Sequence, residues 1–319
     1  MIEVVPYGDA FAVDWDDFCS RSSNGTFLHT RRFLGYHGER FRDCSAALFH
    51  DGVLVGILPA AIAVEASDVV VSHPGATFGG IVHHGWLTGQ RMIEAIEAVK
   101  LHFAVLGFTT LRYKTVPYIY FSCPADDDGY ALFRVGARRV RCDLSSCIDL
   151  QERRPPSSRR RRALRKANAN VRVVHGMDML PEFHAVLVDN LASRHGAAPV
   201  HELNELEELS RRFPTEISLA VAFSRDQVVA GVLFFRTPRV IHAQYIASTA
   251  EGFEFSALDA IFDEAITASV DQGVRFFDFG ISNEDEGRIL NEGLYRFKTE
   301  FGGGGVILEQ FEIDLTARA

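Results

Sequence analysis

The 319-residue chain has little of what marks secreted, membrane-spanning or broadly nucleic-acid-binding proteins. Its five cysteines, Cys19, Cys44, Cys123, Cys142 and Cys147, are odd in number and fall at neither paired nor metal-ligand spacing. The sequence therefore predicts reduced, structural thiols. No apolar run reaches the roughly 18 residues that a membrane span needs. The opening MIEVVPYGDAFAVDWDD has neither the basic start nor the apolar core of a secretory leader. The expectation is a cytoplasmic protein with no integral membrane association. A net charge of −9 argues against DNA and membrane surfaces as general partners, since either calls for a basic balance across a whole domain. Histidines are too scattered for a metal centre: His83 and His84 are adjacent and point to opposite faces of a strand, leaving His73 alone, so no metal is expected. There is no G-x-S-x-G elbow, no cysteine in a catalytic setting, and no G-K-[ST] after the four glycines at 302–305, which read as a tight bend.

What is present is enough apolar residue, 47%, for two sizeable cores, in a chain whose length favours two domains. The halves echo one another. Asp51-Gly-Val-Leu-Val-Gly56-Ile-Leu matches Asp226-Gln-Val-Val-Ala-Gly231-Val-Leu. Each half continues with a second apolar run, an amphipathic helix ending at Gly107 or Gly273, a strand, a short helix and an alternating strand. The first such helix carries Met92, Ile96, Val99, Phe103 and Leu106 on one stripe, and the second carries Leu258, Ile261, Phe262, Ala265 and Ile266. In this register Phe133 and Arg134 fall opposite Phe297 and Lys298. The spacing predicts a tandem duplication with domains at 1–150 and 151–319.

Between the halves stands QERRPPSSRRRRALRKA, the one strong shift in composition. Pro155-Pro156 breaks structure, and Ser157 or Ser158 can cap a helix that starts at the arginines. On it Arg161 and Arg165 share a face. Such a run is a solvated linker helix or, because clustered arginines repel one another unless offset, an anion-binding surface.

Near the C-terminus Val274-Arg-Phe-Phe-Asp-Phe-Gly280 reads as a buried strand whose end opens onto a ligand-binding mouth, followed by GLYRFKTEFGGGG. Strand, amphipathic helix, strand ending FDFG, then G-x-Y-x-F-K-x-x-F-G resembles the Fem-like branch of the GNAT acyltransferase superfamily. The likeness is most specific at Phe279-Gly280, Tyr295, Phe297-Lys298 and Phe301-Gly302. Arg161, Leu164 and Ala167 also look like the basic helix that opens the family's second domain. The resemblance implies an α/β (α+β) fold of two GNAT-like domains, each a mixed, largely antiparallel sheet flanked by helices. It implies transfer of an acyl or aminoacyl group to an amine or hydroxyl of a cell-envelope or polysaccharide precursor. The donor is then acyl-CoA or aminoacyl-tRNA, with no permanently bound cofactor. The acceptor is a small molecule or a nucleotide-linked saccharide, and tRNA enters only through the donor. The GNAT pyrophosphate pattern R/Q-x-x-G-x-G/A is not met after the strand around 240–246, where the text is STAEGFEF.

On this reading Lys298 lies at the transfer site, with Asp278 and Tyr245 positioning the acceptor and Arg161, Arg165, Phe297 and Tyr295 lining substrate. His29 and Tyr36 stand where an acceptor-side segment of the first domain belongs; the alternative for that stretch is an amphipathic helix packing Phe33 and Leu34. The alternative for Lys298 is a surface lysine whose stem packs on Phe297 and Phe301, and either way its exposure is expected to leave stability indifferent to its loss. For Asp278 the alternative is a strand-end hydrogen-bond acceptor. Ser72-His-Pro-Gly-Ala-Thr-Phe-Gly-Gly80, at the matching place in the first half, is a plain turn or a close-approach loop. Two rival functions remain: an ordinary acyl-CoA N- or O-acyltransferase, and a non-catalytic binding module on the same double fold.

Overall fold

The repeated order of elements is present in the computed structural model, which describes residues 1–195 and 199–316. The first series runs through the strand Ile2–Pro6, the helices Ala12–Ser20 and Arg31–Leu34, the strands Ala46–His50, Val53–Leu58, Ala60–Ile62 and Val69–Ser72, the helix Gln90–Val105, the strand Thr110–Lys114, the helix Asp127–Arg134 and the strand Arg138–Asp149. After the basic helix Ser158–Asn170 comes the second series. It comprises the strand Arg172–His175, the helices Leu180–His195 and Leu203–Arg212, the strands Ile217–Ser224, Gln227–Arg236 and Val240–Ser248, the helices Ala250–Phe255 and Ala257–Asp271, the strand Phe276–Ile281, the helix Glu292–Thr299 and the strand Gly304–Asp314. Both amphipathic helices end as their glycines predict, with Gly107 at φ +89° and Gly273 at φ +70°. The expected stripe of the first helix holds at Met92, Ile96, Val99 and Phe103, but Leu106 is 54% exposed, because the helix stops at Val105 and the chain turns away.

These elements gather into two compact units: Met1–Leu144 with Asn283–Ile289 and the residues from Ile307 on, and Ser145–Ser282 with Leu290–Val306. These compact units cut across the expected division into 1–150 and 151–319. In the first unit Val69–Ser72 runs parallel to Thr110–Lys114, and the last strand lies antiparallel on Thr110–Lys114, with Gln310 opposite Lys114 and Asp314 opposite Thr110. Ile313 and Leu315 accordingly belong to the core built on Leu111, Ile96, Val99 and Phe103.

In the second unit Arg172–His175, Ile217–Ser224, Gln227–Arg236 and Val240–Ser248 pair antiparallel in turn. Phe276–Ile281 then adds parallel to Val240–Ser248, and its other edge pairs antiparallel with the end of Arg138–Asp149. This is a mixed sheet. The expected in-out alternation of Arg138–Asp149 gives way between Ser145 and Ile148, four residues buried in succession. The helix Ala257–Asp271 covers the sheet with Leu258, Ile261, Phe262 and Ile266. Phe262 sits at the middle of an aromatic cluster, 4.9 Å from Phe279 and 5.5 Å from Phe301 between ring centroids. Each such fully buried ring contributes about 1.5–3 kcal/mol through area removed from water.

Of the four glycines expected to form a tight bend, Gly302 and Gly303 do so, while Gly304 and Gly305 already begin the last strand. Gly302 has φ +108°, and a Cβ there would collide with the Arg154 carbonyl oxygen, while one at Gly303 would meet the Cys147 carbonyl. Gly302→Ala should therefore cost about 1–3 kcal/mol in urea unfolding. Gly304→Ala, whose Cβ would meet only the Arg154 Nη2 at 3.5 Å, should cost far less. Equal midpoints for the two variants would refute this account of the bend.

Candidate active site

Parallel pairing between Val240–Ser248 and Phe276–Ile281 runs through Val240–Phe276, Ile241–Phe277 and His242–Asp278 and stops there, although both strands continue. Each is irregular just beyond. Against Gln227–Arg236, the partners pass from Ala243 to Tyr245, leaving Gln244 as an extra residue. Against the preceding antiparallel strand, the partners pass from Asp278 to Ile281 while the other side advances only from Cys147 to Ser145. Such bulges bend a strand and redirect its groups. Here they split the parallel pair open at its carboxyl end, the place where open α/β sheets take ligands.

Gly280, at φ +78°, lies in the second bulge. The helix Glu292–Thr299, capped by Asn291, brings Lys298 against it: Nζ donates to the Gly280 carbonyl at 2.9 Å and to the Ile281 carbonyl at 2.6 Å. Lys298 is 3% exposed, which corrects the surface-lysine alternative and, with it, the expectation that its loss leaves stability untouched. Burial lowers its pKa to about 8, and the charge of Asp278 acts in the opposite direction.

Asp278 is 2% exposed. Its Oδ1 accepts from the Ser145 hydroxyl and, at 3.1 Å, from the Gly280 N–H, and its Oδ2 stands 2.8 Å from His242 Nδ1. Burial alone would raise its pKa, but the charge and hydrogen bond of His242, with the bonds from Ser145 and Gly280, outweigh it and hold the carboxyl below its usual value. The carboxylate is therefore ionised and fully engaged. His242 escaped the sequence reading, since a lone histidine in an apolar strand carries no motif.

The Tyr245 hydroxyl pairs with His201 Nδ1, and desolvation raises its pKa to about 12. Tyr295 is half-buried on the helix that carries Lys298. Phe297 packs on Phe262 and Phe301 and lies under the Arg160 guanidinium, 4.7 Å from its ring centroid. On the basic helix Ser157 caps the backbone N–H of Arg160, as its sequence predicts. Arg161 and Arg165 face solvent, with Arg161 Nη1 donating to the Pro156 carbonyl at 2.6 Å. The buried arginine is instead Arg160, whose Nη1 reaches the Asp259 oxygens at 2.9 and 3.0 Å and whose Nε reaches Glu300 at 3.2 Å. Burial raises Asp259 to about 6 against the lowering by Arg160. Beside this network lies a cavity of about 350 Å³, lined by Arg159, Arg160, Gly252, Ser256, Asp259 and Phe297 among others. It adjoins the start of the helix Ala257–Asp271, which has no side-chain cap.

In the first unit His29 is completely buried: Nδ1 accepts from the Thr26 N–H at 3.0 Å, and Nε2 lies 3.4 Å from the Gly79 carbonyl. Desolvation lowers its pKa to about 4. Both ring nitrogens are thus engaged in holding this segment, and His29 lies in a 3-10 turn instead of on a helix edge. Tyr36 is buried against Phe33 and His37. The Ser72–Gly80 loop is tied down by Lys114, whose Nζ donates to the carbonyls of His73, Pro74 and Ala76 at 3.1, 3.4 and 2.8 Å. Among the described residues no cluster of His, Cys, Asp and Glu is fit to hold a metal ion, and no helix is long and apolar enough to cross a membrane.

Residues 152–298 match the family model for the acetyltransferase (GNAT) domain. No curated protein matches the chain significantly. Among solved structures, FemX is similar at a TM-score of 0.66 and 11% identity, over 96% of each chain. The C-terminal domain of a putative lysylphosphatidylglycerol synthetase from Agrobacterium fabrum aligns at 0.62 and 11% identity, over 96% of this chain and 92% of that one. A tandem GNAT protein from the clavulanic acid biosynthesis pathway aligns at 0.56 and 14% identity over the whole of both chains. At these identities the likeness is one of fold. Residues 152–298 thus match the GNAT acetyltransferase domain, in a chain whose fold is similar to that of FemX and of a tandem GNAT protein.

Proposed function

We propose that the protein transfers an acyl or aminoacyl group from an activated carrier to an amine or hydroxyl, at the separated strands of the second unit. The observation that carries this reading is the mouth beyond His242 and Asp278, with the Lys298 ammonium pinned on the carbonyls of its bulge, inside the segment that matches a GNAT domain. An ammonium has three N–H bonds. Two are committed to Gly280 and Ile281, and the third is available to the oxygen that gains charge as the carbonyl becomes tetrahedral. In so desolvated a site that attraction is far stronger than in water.

The carrier is acyl-CoA or aminoacyl-tRNA, both of which carry phosphates. The cavity beside Arg159 and Arg160, at an uncapped helix start, is chemically suited to such groups. Glu251, which would oppose a phosphate, is drawn aside by a 2.7 Å hydrogen bond from Ser224. Arg161 and Arg165 are free to face an anionic acceptor. The names FemX and lysylphosphatidylglycerol synthetase favour a cell-envelope acceptor, and a phosphorylated saccharide precursor is the form that suits these arginines. Thermal-shift titration with acetyl-CoA and with a mixture of aminoacyl-tRNAs tests the donor. Stabilisation by one and not the other is expected, and stabilisation by neither would leave a binding module on this fold.

Lys298→Met should lower turnover by roughly a hundredfold or more, as loss of one oxyanion donor does. An unchanged rate would remove the lysine from the transfer centre. The same variant tests its burial. Between about 8 and its ordinary value of 10.5 the folded protein has released a proton that the unfolded chain keeps, so the contribution of Lys298 to stability rises with pH across that window. The difference between wild type and Lys298→Met should shift in favour of the wild type by up to about 3 kcal/mol from pH 7.5 to 10.5. Lys114, also lowered to about 8, is common to both proteins and cancels. A pH-independent difference in chemical denaturation would contradict the burial.

A further inference from the structure

His242 and Asp278 are the last register partners before the two parallel strands separate. The Asp278 carboxylate has every oxygen directed: Oδ1 receives Ser145 and the Gly280 N–H, and Oδ2 receives His242. An ionised carboxylate only accepts, so the hydrogen in the 2.8 Å contact belongs to His242 Nδ1, and whenever the ring is neutral its lone pair is on Nε2. Nε2 makes no hydrogen bond among the described residues, and the side chain keeps 11% of its surface accessible. The ring edge at Cε1 lies beside Gly280, where a Cβ would stand 3.4 Å away, which places it against the bulge of the opening.

We propose that His242 is the general base of the transfer and that Asp278 is its positioning residue. The inference rests on the transferase reading above. The acceptor it fits is one that must lose a proton on attack, a hydroxyl or an amine. Nε2 takes the N–H or O–H proton as the nucleophile's lone pair forms a bond to the acyl carbon. The C–S bond of a thioester, or the C–O bond of an aminoacyl ester, breaks with its electron pair. The imidazolium then returns the proton to the departing sulfur or ribose oxygen, which restores the neutral ring.

The test uses the full chain with acetyl-CoA and with mixed aminoacyl-tRNAs as donor probes, and ethanolamine or hydroxylamine as nucleophile. His242→Gln should lower transfer to ethanolamine by roughly 10²–10⁴-fold, the usual contribution of a positioned base. Transfer to hydroxylamine, which is already unprotonated at neutral pH, should fall less. Imidazole added to His242→Gly should restore part of the rate. Nitrogen NMR of the wild type should show the Nδ1–H tautomer, and Asp278→Asn should lose it. A wild type that transfers while His242→Gln keeps its rate overturns the base and leaves the transferase standing. So does an Nε2–H tautomer in the wild type, a measurement that holds even if the variants fail to fold. A wild type that turns over neither donor overturns the transferase reading and the base with it.

Discussion

A carboxylate inside a wall of phenylalanines sets the terms for the second unit. Asp278 follows Phe276 and Phe277 and precedes Phe279, all of them buried. An ionised group in such surroundings is tolerated only when its oxygens are paired and hydrogen-bonded. Ser145, the Gly280 N–H and His242 supply that, each from a different stretch of chain, and the Asp278 charge in turn favours the ionised form of Lys298. The bulge at Phe279–Gly280 belongs to the same solution, because it turns the Gly280 N–H toward Asp278 and the carbonyls of Gly280 and Ile281 toward Lys298. Backbone geometry, buried charge and the opening between the strands are therefore aspects of one arrangement, and removing the carboxylate would loosen all three.

A second buried ion network supports it from the side. Arg160 is held by Asp259 and Glu300 and stacked on Phe297, so the basic helix is fastened to the start of the helix Ala257–Asp271 and to the far end of the lysine helix. Breaking one member of such a network leaves a buried charge without compensation, which costs far more than the intact network contributes. The polar groups at this end of the unit are consequently fixed in place before any ligand arrives, the condition under which they act most strongly on developing charge.

The sequence made the order of elements readable because the pattern repeats: the glycine-terminated helices, the Phe-rich strand and a closing strand in each half occur where spacing puts them, although the alternation expected of those closing strands is broken at Ser145–Ile148 and at the exposed Ile307. Lys298 was legible through the aromatic residues around it. Its burial was not, since a lysine between Phe297 and Phe301 reads equally well as a stem lying on a surface. In the basic run Arg161 and Arg165 read as one exposed face, whereas the buried Arg160 stands out only when its own stripe is followed. The phase was in fact available: Arg160, Ala163, Leu164 and Ala167 form a single stripe, and the small apolar residues mark the face that packs. His242 was invisible for a different reason. Its meaning depends on Asp278, thirty-six residues on, and on strand pairing that brings the two together.

The last strand has a consequence for how the chain is made. Residues Gln310–Asp314 complete the sheet of the first unit on Thr110–Lys114, and Ile313 and Leu315 complete its core. Domains commonly fold in order as they leave the ribosome. Here the N-terminal unit has to wait, with the Thr110–Lys114 edge uncovered, while the whole second unit is synthesised. During translation that open edge is a template for mispairing, and residues 310–314 are the ones that close it.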